Sequence, residues 1–126
     1  MASIGLLDSL WSKAVKKRDN NRCALCGSSY MLEAHHVQIR KHKTTRWNID
    51  NGIALCYKCH GKCHSVEIYD KIRKYLGEEK IHAQSKLATW TLKDYLMVDG
   101  LTVNEFREQK KSELKKALCE GESRIA

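Results

Sequence analysis

Apolar residues at Leu6, Leu7, Leu10, Trp11, Ala14 and Val15 recur at helical spacing and leave Lys13, Lys16, Lys17 and Arg18 largely on the other side. This pattern predicts an amphipathic N-terminal helix, broken by Asp19-Asn20-Asn21. Tyr30 to Ile39 is apolar and β-branched enough to read as a strand despite a polar centre, and Ile49 to Cys56 reads as a turn at Asn51-Gly52 followed by a short second strand. A helix is expected next. The predicted order is therefore strand, loop, strand, helix.

Beyond this segment, Ile68, Ile72 and Leu76 form a stripe that Gly77 should end. Thr91-x-x-Asp94 and Thr102-x-x-Glu105 resemble capping boxes, with Asp99-Gly100 as the turn between two helices. Val103, Phe106, Leu114 and Leu118 read as packing surface. The expected organisation is a core over residues 1–66, including the N-terminal helix, and a helical extension over 67–126 packed on or next to it.

The chain has 126 residues, with 42% hydrophobic and 30% charged, which is the composition of a soluble globular protein. No apolar run approaches the roughly 20 residues of a membrane-spanning helix, so no membrane partner is expected. The N-terminus lacks the features of a secretory signal, which predicts a cytoplasmic protein.

Formal net charge is +8, unevenly placed. Residues 1–66 hold eleven Lys/Arg against four Asp/Glu, a net of +7, whereas the rest of the chain holds twelve against eleven. Ala34 to Ile49 contains no acid, while Arg40, Lys41, Lys43 and Arg46 fall within seven residues. A polyanion is the natural partner for that loop, with the N-terminal Lys/Arg cluster beside it.

Two Cys-x-x-Cys pairs, Cys23/Cys26 and Cys56/Cys59, lie 29 residues apart. In a reducing compartment this spacing favours metal over disulfides, and four thiolates in two knuckles suit a tetrahedral structural Zn²⁺. Such a site stapling residue 23 to residue 59 would support a core too small to hold itself. Its four positions are filled by protein, so the chemistry must lie elsewhere. Cys63 and Cys119 are left over; Cys63 could compete as a zinc ligand, but its spacing from Cys59 breaks the knuckle pattern.

The candidates for chemistry are His35, His36, Asn51, His60 and His64, all inside or beside the stapled segment. On a strand His35 and His36 point to opposite faces and take different jobs. On the helix expected here His60 and His64 are i and i+4, on one face, at a spacing suited to holding a single ion. One strand histidine can complete that site while the other works independently. His42 and His82 fit no part of the pattern.

Cys23-x-x-Cys26, Glu33-Ala-His-His36, Asp50-Asn-Gly-Ile-Ala-Leu-Cys56, Cys59-His60 and His64 together resemble the HNH, or ββα-metal, endonucleases in their four-cysteine form, common in phage and bacterial genomes. The resemblance implies an α+β fold: a ββα-metal finger stapled by a four-cysteine zinc knuckle, with an N-terminal helix and a C-terminal helical extension. It makes His36 the general base, Asn51 the group that holds the loop, and His35, His60 and His64 ligands of a second divalent cation. Many family members have Asp where this chain has His35. Three imidazoles favour Mn²⁺, Co²⁺, Ni²⁺ or Zn²⁺ over Mg²⁺.

The implied activity is hydrolysis of phosphodiester bonds in duplex or branched DNA, by nicking or double-strand cleavage, leaving 5′-phosphate and 3′-hydroxyl ends. Phage or mobile-element DNA processing is the implied setting, with phage packaging or recombination proteins as candidate partners. The alternative is a zinc-stabilised DNA-binding adaptor without hydrolysis.

Overall fold

A computed structural model describes residues 2–123 of the chain, and side chains as far as Cys119; Met1 and residues 124–126, which fall within the two expected units, lie outside the described residues. Helix α1, Ile4–Arg18, opens with Ser3, whose hydroxyl accepts the Leu6 N–H at 3.1 Å. Leu7, Trp11, Ala14 and Val15 are its buried stripe. It stops at Asp19 because Asn20 and Asn21 follow in left-handed conformations, at φ 60° and 55°. That turn sends the chain into the first cysteine pair.

The sheet is one antiparallel ribbon of β1, Glu33–His36, and β2, Gly52–Leu55, with His35 opposite Ile53 and His36 opposite Gly52. β1 is shorter than the apolar pattern of 30–39 predicts, for two reasons. Met31 sits at φ +46° in a turn, and beyond His36 the chain is captured by Asn51 in place of a strand partner. The expected turn at Asn51-Gly52 is a short 3-10 turn over Ile49–Asn51, and Gly52 itself is extended at φ −129°.

β2 is buried on both faces. Gly52 faces α1, where an added Cβ would lie 2.5 Å from Val15 Cγ2 and 2.6 Å from Trp11 Cζ2. Glycine is needed there for close approach, not for a turn. Ile53 and Leu55 pack with Cys23, Cys56, Ile68, Ile72, Leu76 and Ile81, in a cluster separate from the one built on α1.

Five helices follow or flank the ribbon: α2, Tyr57–Gly61; α3, Val66–Leu76; α4, Glu78–Ala88; α5, Leu92–Asp99; and α6, Val103–Ser123. Gly77 ends α3 at φ +93°, and Ser65 caps its start. Thr91 accepts the Asp94 N–H at 3.2 Å, and Thr102 and Glu105 form a reciprocal capping box at 3.1 Å each way. Phe106 and Leu114 of α6 share a core with Leu7, Trp11, Val15, Trp47 and Leu96, so the C-terminal half packs directly onto the N-terminal helix. Val103, by contrast, is exposed.

Asp19 ties these parts together. Its buried carboxylate accepts the Ala54 N–H at 2.8 Å, the Tyr75 hydroxyl at 2.6 Å and the Arg18 guanidinium at 2.9 Å. Burial, then the Asp19 bond, pushes the Tyr75 phenol up to about 12. Because Ala54 O also accepts the Ala24 N–H at 2.9 Å, both outward-facing backbone groups of that β2 residue are satisfied. Asp19→Ala should strand the buried Ala54 N–H and cost about 2–4 kcal/mol, read as a lower denaturant midpoint of the metal-loaded protein.

Candidate active site

Each cysteine pair is presented by its own tight turn. Gly27, at φ +80°, lets its N–H return to Cys23 O at 2.9 Å, while the Cys23 N–H donates to Ser28 O at 2.8 Å. In the second pair Cys56 caps α2, its sulfur accepting the Cys59 N–H at 3.5 Å. The sulfurs of Cys23, Cys26, Cys56 and Cys59 all lie within 4.8 Å of one another. A tetrahedron of Zn–S bonds of about 2.3 Å has edges of roughly 3.8 Å, so the quartet fits such an ion. Burial, then the neighbouring sulfurs, drives the Cys59 thiol strongly up. For Cys23, burial is outweighed by the Cys56 and Cys26 backbone N–H groups, which bring it down to about 7. Four sulfurs crowded this closely are a set that a cation would stabilise as thiolates.

The two strand histidines do point apart. His36, on the Gly52 side, stacks on Trp11 of α1 with ring centroids 3.7 Å apart and planes 8° apart. Its Nε2 lies 3.0 Å from Arg46 O. A carbonyl can only accept, so this bond puts the proton on Nε2 and leaves Nδ1 as the basic nitrogen. Burial is the main cause holding the His36 imidazole below its ordinary value.

Arg46 is itself fixed. Its Nε and Nη2 donate to the Asp8 carboxylate at 3.0 and 2.8 Å, and Trp47 Nε1 donates to Asp8 at 2.9 Å. Burial alone would raise the Asp8 carboxyl, but Arg46 and Trp47 outweigh it and hold it below the usual range. Arg46, expected to contact DNA with the rest of the basic loop, has its charge paired with Asp8, and its carbonyl lies against His36. Lys17 and Arg18 are likewise turned inward, Lys17 to Leu118 O at 2.5 Å and Arg18 to Ile49 O and Gly52 O at 2.9 and 2.7 Å. Arg40, Lys41 and Lys43 remain exposed.

Asn51 is fully buried with its amide saturated. Oδ1 accepts the Gln38 N–H at 2.7 Å, and Nδ2 donates to Gln38 O at 3.1 Å and Thr45 O at 3.2 Å. Its carbonyl accepts the Val37 N–H at 2.9 Å. One side chain thus pins both ends of the basic loop and the backbone just after His36. The helical half secures the same loop: Thr44 donates to Leu87 O at 2.9 Å, Asn48 to Gln84 at 3.1 Å, and Lys110 to Asn48 at 2.7 Å.

On the other side of β1, His35 meets His60 of α2, with ring centroids 5.4 Å apart. Glu33 lies 3.1 Å from His60 Nδ1, which places a proton there and leaves Nε2 for a ligand. Burial, then nearby His60, His36 and His64, pushes His35 down to about 4. Neutral imidazole is the form that binds metal.

His64 does not share a helix face with His60. α2 ends at Gly61, and the chain turns through Lys62, Cys63 and His64 before Ser65 caps α3. Among the described residues, Cys63 brings its ligand atom within 4.8 Å of those of both His35 and His60, and it is buried, whereas His64 is exposed. A cleft of about 320 Å³, lined by Asp8, Trp11, His35, His36, Arg40 and His60 among others, opens both histidine faces to one space.

Several contributors are not evident from motif spacing. Asp8 and Trp11 read only as parts of an amphipathic helix, and nothing local marks their partners. For Cys63 the available signal is its position three residues after His60, close enough for a turn to bring the two together.

Residues 23–65 match the family described as HNH endonuclease, and carry its domain as a ribbon, a four-cysteine cluster and a helix. No curated protein and no solved structure matches the chain.

Because Gly52 lies under Trp11, Gly52→Ala should push the indole off His36. The expected result is a change in Trp11 fluorescence and a stability loss of about 1–3 kcal/mol, with the four-sulfur site still able to take up metal.

Proposed function

We propose that the chain is a metal-dependent DNA endonuclease that hydrolyses phosphodiester bonds, with His36 as general base. The observation that carries this reading is the fixed state of His36: one tautomer, one ring plane, and a place in the lining of a cleft shared with His35, His60 and Arg40. A protein that only binds DNA has no use for an imidazole so constrained.

Cys23, Cys26, Cys56 and Cys59 would hold a structural Zn²⁺, and His35 and His60 would hold a second divalent cation. When bound, the second ion supplies Lewis acidity at the scissile phosphate. His36 Nδ1 takes a proton from the attacking water, and the Nε2–H···O bond to Arg46 steadies the imidazolium that forms. The water oxygen bonds to phosphorus as the bond to the 3′ oxygen breaks; the departing 3′ alkoxide takes a proton from solvent water, giving 5′-phosphate and 3′-hydroxyl ends. Arg40 lines the cleft and offers charge to a phosphate, while Lys41 and Lys43 extend the basic surface beyond it. Asn51 holds that loop in register with His36.

One such centre cuts one strand, so a single chain nicks, and double-strand cleavage needs a second copy or a second encounter. Ligand thiols must stay reduced, which suits a cytoplasmic setting. Processing of phage or mobile-element DNA, beside packaging or recombination proteins, is the biological role this reading favours.

His36→Ala should retain the metal content and DNA affinity of the parent and lose ~10² to 10⁴ in single-turnover cleavage rate. Plasmid nicking with Mn²⁺, Co²⁺, Ni²⁺, Zn²⁺ and Mg²⁺ tests the activity itself; no strand scission with any of them would favour the DNA-binding adaptor. Replacing Arg40, Lys41 and Lys43 by Ala should reduce the slope of log affinity against log salt by roughly 0.9 per lost phosphate contact. Arg46→Ala belongs outside that set, because it removes the partner of Asp8 and should lower stability as well.

A further inference from the structure

We propose that Cys63 is the third protein ligand of the ion held by His35 and His60, making the catalytic metal centre a site of two imidazoles and one thiolate. This rests on the reading of His35 and His60 as ion ligands and goes beyond it by naming the donor that sets which ions the centre accepts.

Three parts of the chain bring these groups together. His35 comes from β1, His60 from α2, and Cys63 from the turn that follows, where the Cys63 N–H donates to His60 O at 3.2 Å. Their ligand atoms lie mutually within 4.8 Å, a set distinct from the four-sulfur cluster. That cluster already offers the four donors a tetrahedral ion takes, so Cys63 is surplus to it. Cys63 is turned into the apolar layer of Ile53, Ile68 and Ile72, which excludes water from one side of the thiol, while His60 and His35 reach the open cleft.

Two imidazoles and one thiolate leave one position of a tetrahedral ion for water or a phosphate oxygen, the pattern of a catalytic site. A thiolate also changes selectivity. It favours Zn²⁺, Co²⁺ or Ni²⁺ and disfavours Mg²⁺, which prefers oxygen donors. The competing account is that Cys63 is a small apolar residue filling the layer, as free cysteines often are. Only metal binding separates the two.

The test is Co²⁺ titration of full-length protein whose four-cysteine site is already filled with Zn²⁺, followed by absorption spectroscopy, with released zinc measured to exclude exchange. The wild type should show a sulfur-to-cobalt charge-transfer band as the second ion binds. Cys63→Ser should lose that band and bind the second Co²⁺ at least about 10-fold more weakly, the scale on which even outer partners of a ligand act. His64→Ala should change neither. His60→Ala keeps the thiol but breaks the site, so it too should lose the band, which preserves the test if Cys63→Ser fails to fold.

A second Co²⁺ bound without a thiolate band in the wild type, or a band that survives in Cys63→Ser, would overturn the assignment. So would loss of the second ion in His64→Ala. Since the readout is a spectrum, DNA nicking without a thiolate band sinks this proposal and leaves the nuclease reading. A thiolate-bound second ion without nicking supports this proposal and sinks the nuclease reading.

Discussion

Two strands of four residues each cannot hold themselves together in water, and that constraint governs the rest of this molecule. The ribbon carries His35 and His36 on adjacent positions of β1, so any slip in its register would exchange their faces. It is therefore held from every direction. The cysteine turns close one end, Asn51 closes the other, Asp19 and Ala24 occupy the outer backbone groups of Ala54, and helices cover both faces of β2. Precision at the site comes from this confinement, not from the strands.

Much of this organisation is legible in the residues themselves. The stripe from Leu7 to Val15, the paired cysteine turns, the stop at Gly77 and the capping box at Thr102 all depend on interactions within about one helical turn, and such rules act locally. The opposite facing of His35 and His36 follows from the strand period alone. Asn51 as the holder of the loop follows from the family resemblance and from the double hydrogen-bonding capacity of an amide.

What was not legible depends on partners distant along the chain. Arg46 reads as one more cation in an acid-free loop until Asp8, 38 residues away, is seen to claim it. Gly52 reads as a turn glycine until Trp11 and Val15 are placed against it. His64 fits a helix face by spacing, but Ser65 starts a new helix one residue later, and the intervening turn buries Cys63 instead. In each case local pattern gave the residue a sound role and tertiary packing gave it another.

Trp11 and Asp8 lie outside the matched segment, yet one fixes the ring plane of His36 and the other fixes the carbonyl that sets its tautomer. The recognisable motif and the working unit are thus different objects. Grafted into another protein, residues 23–65 would bring the cysteines and histidines and leave behind the indole and the carboxylate that fix the setting of His36.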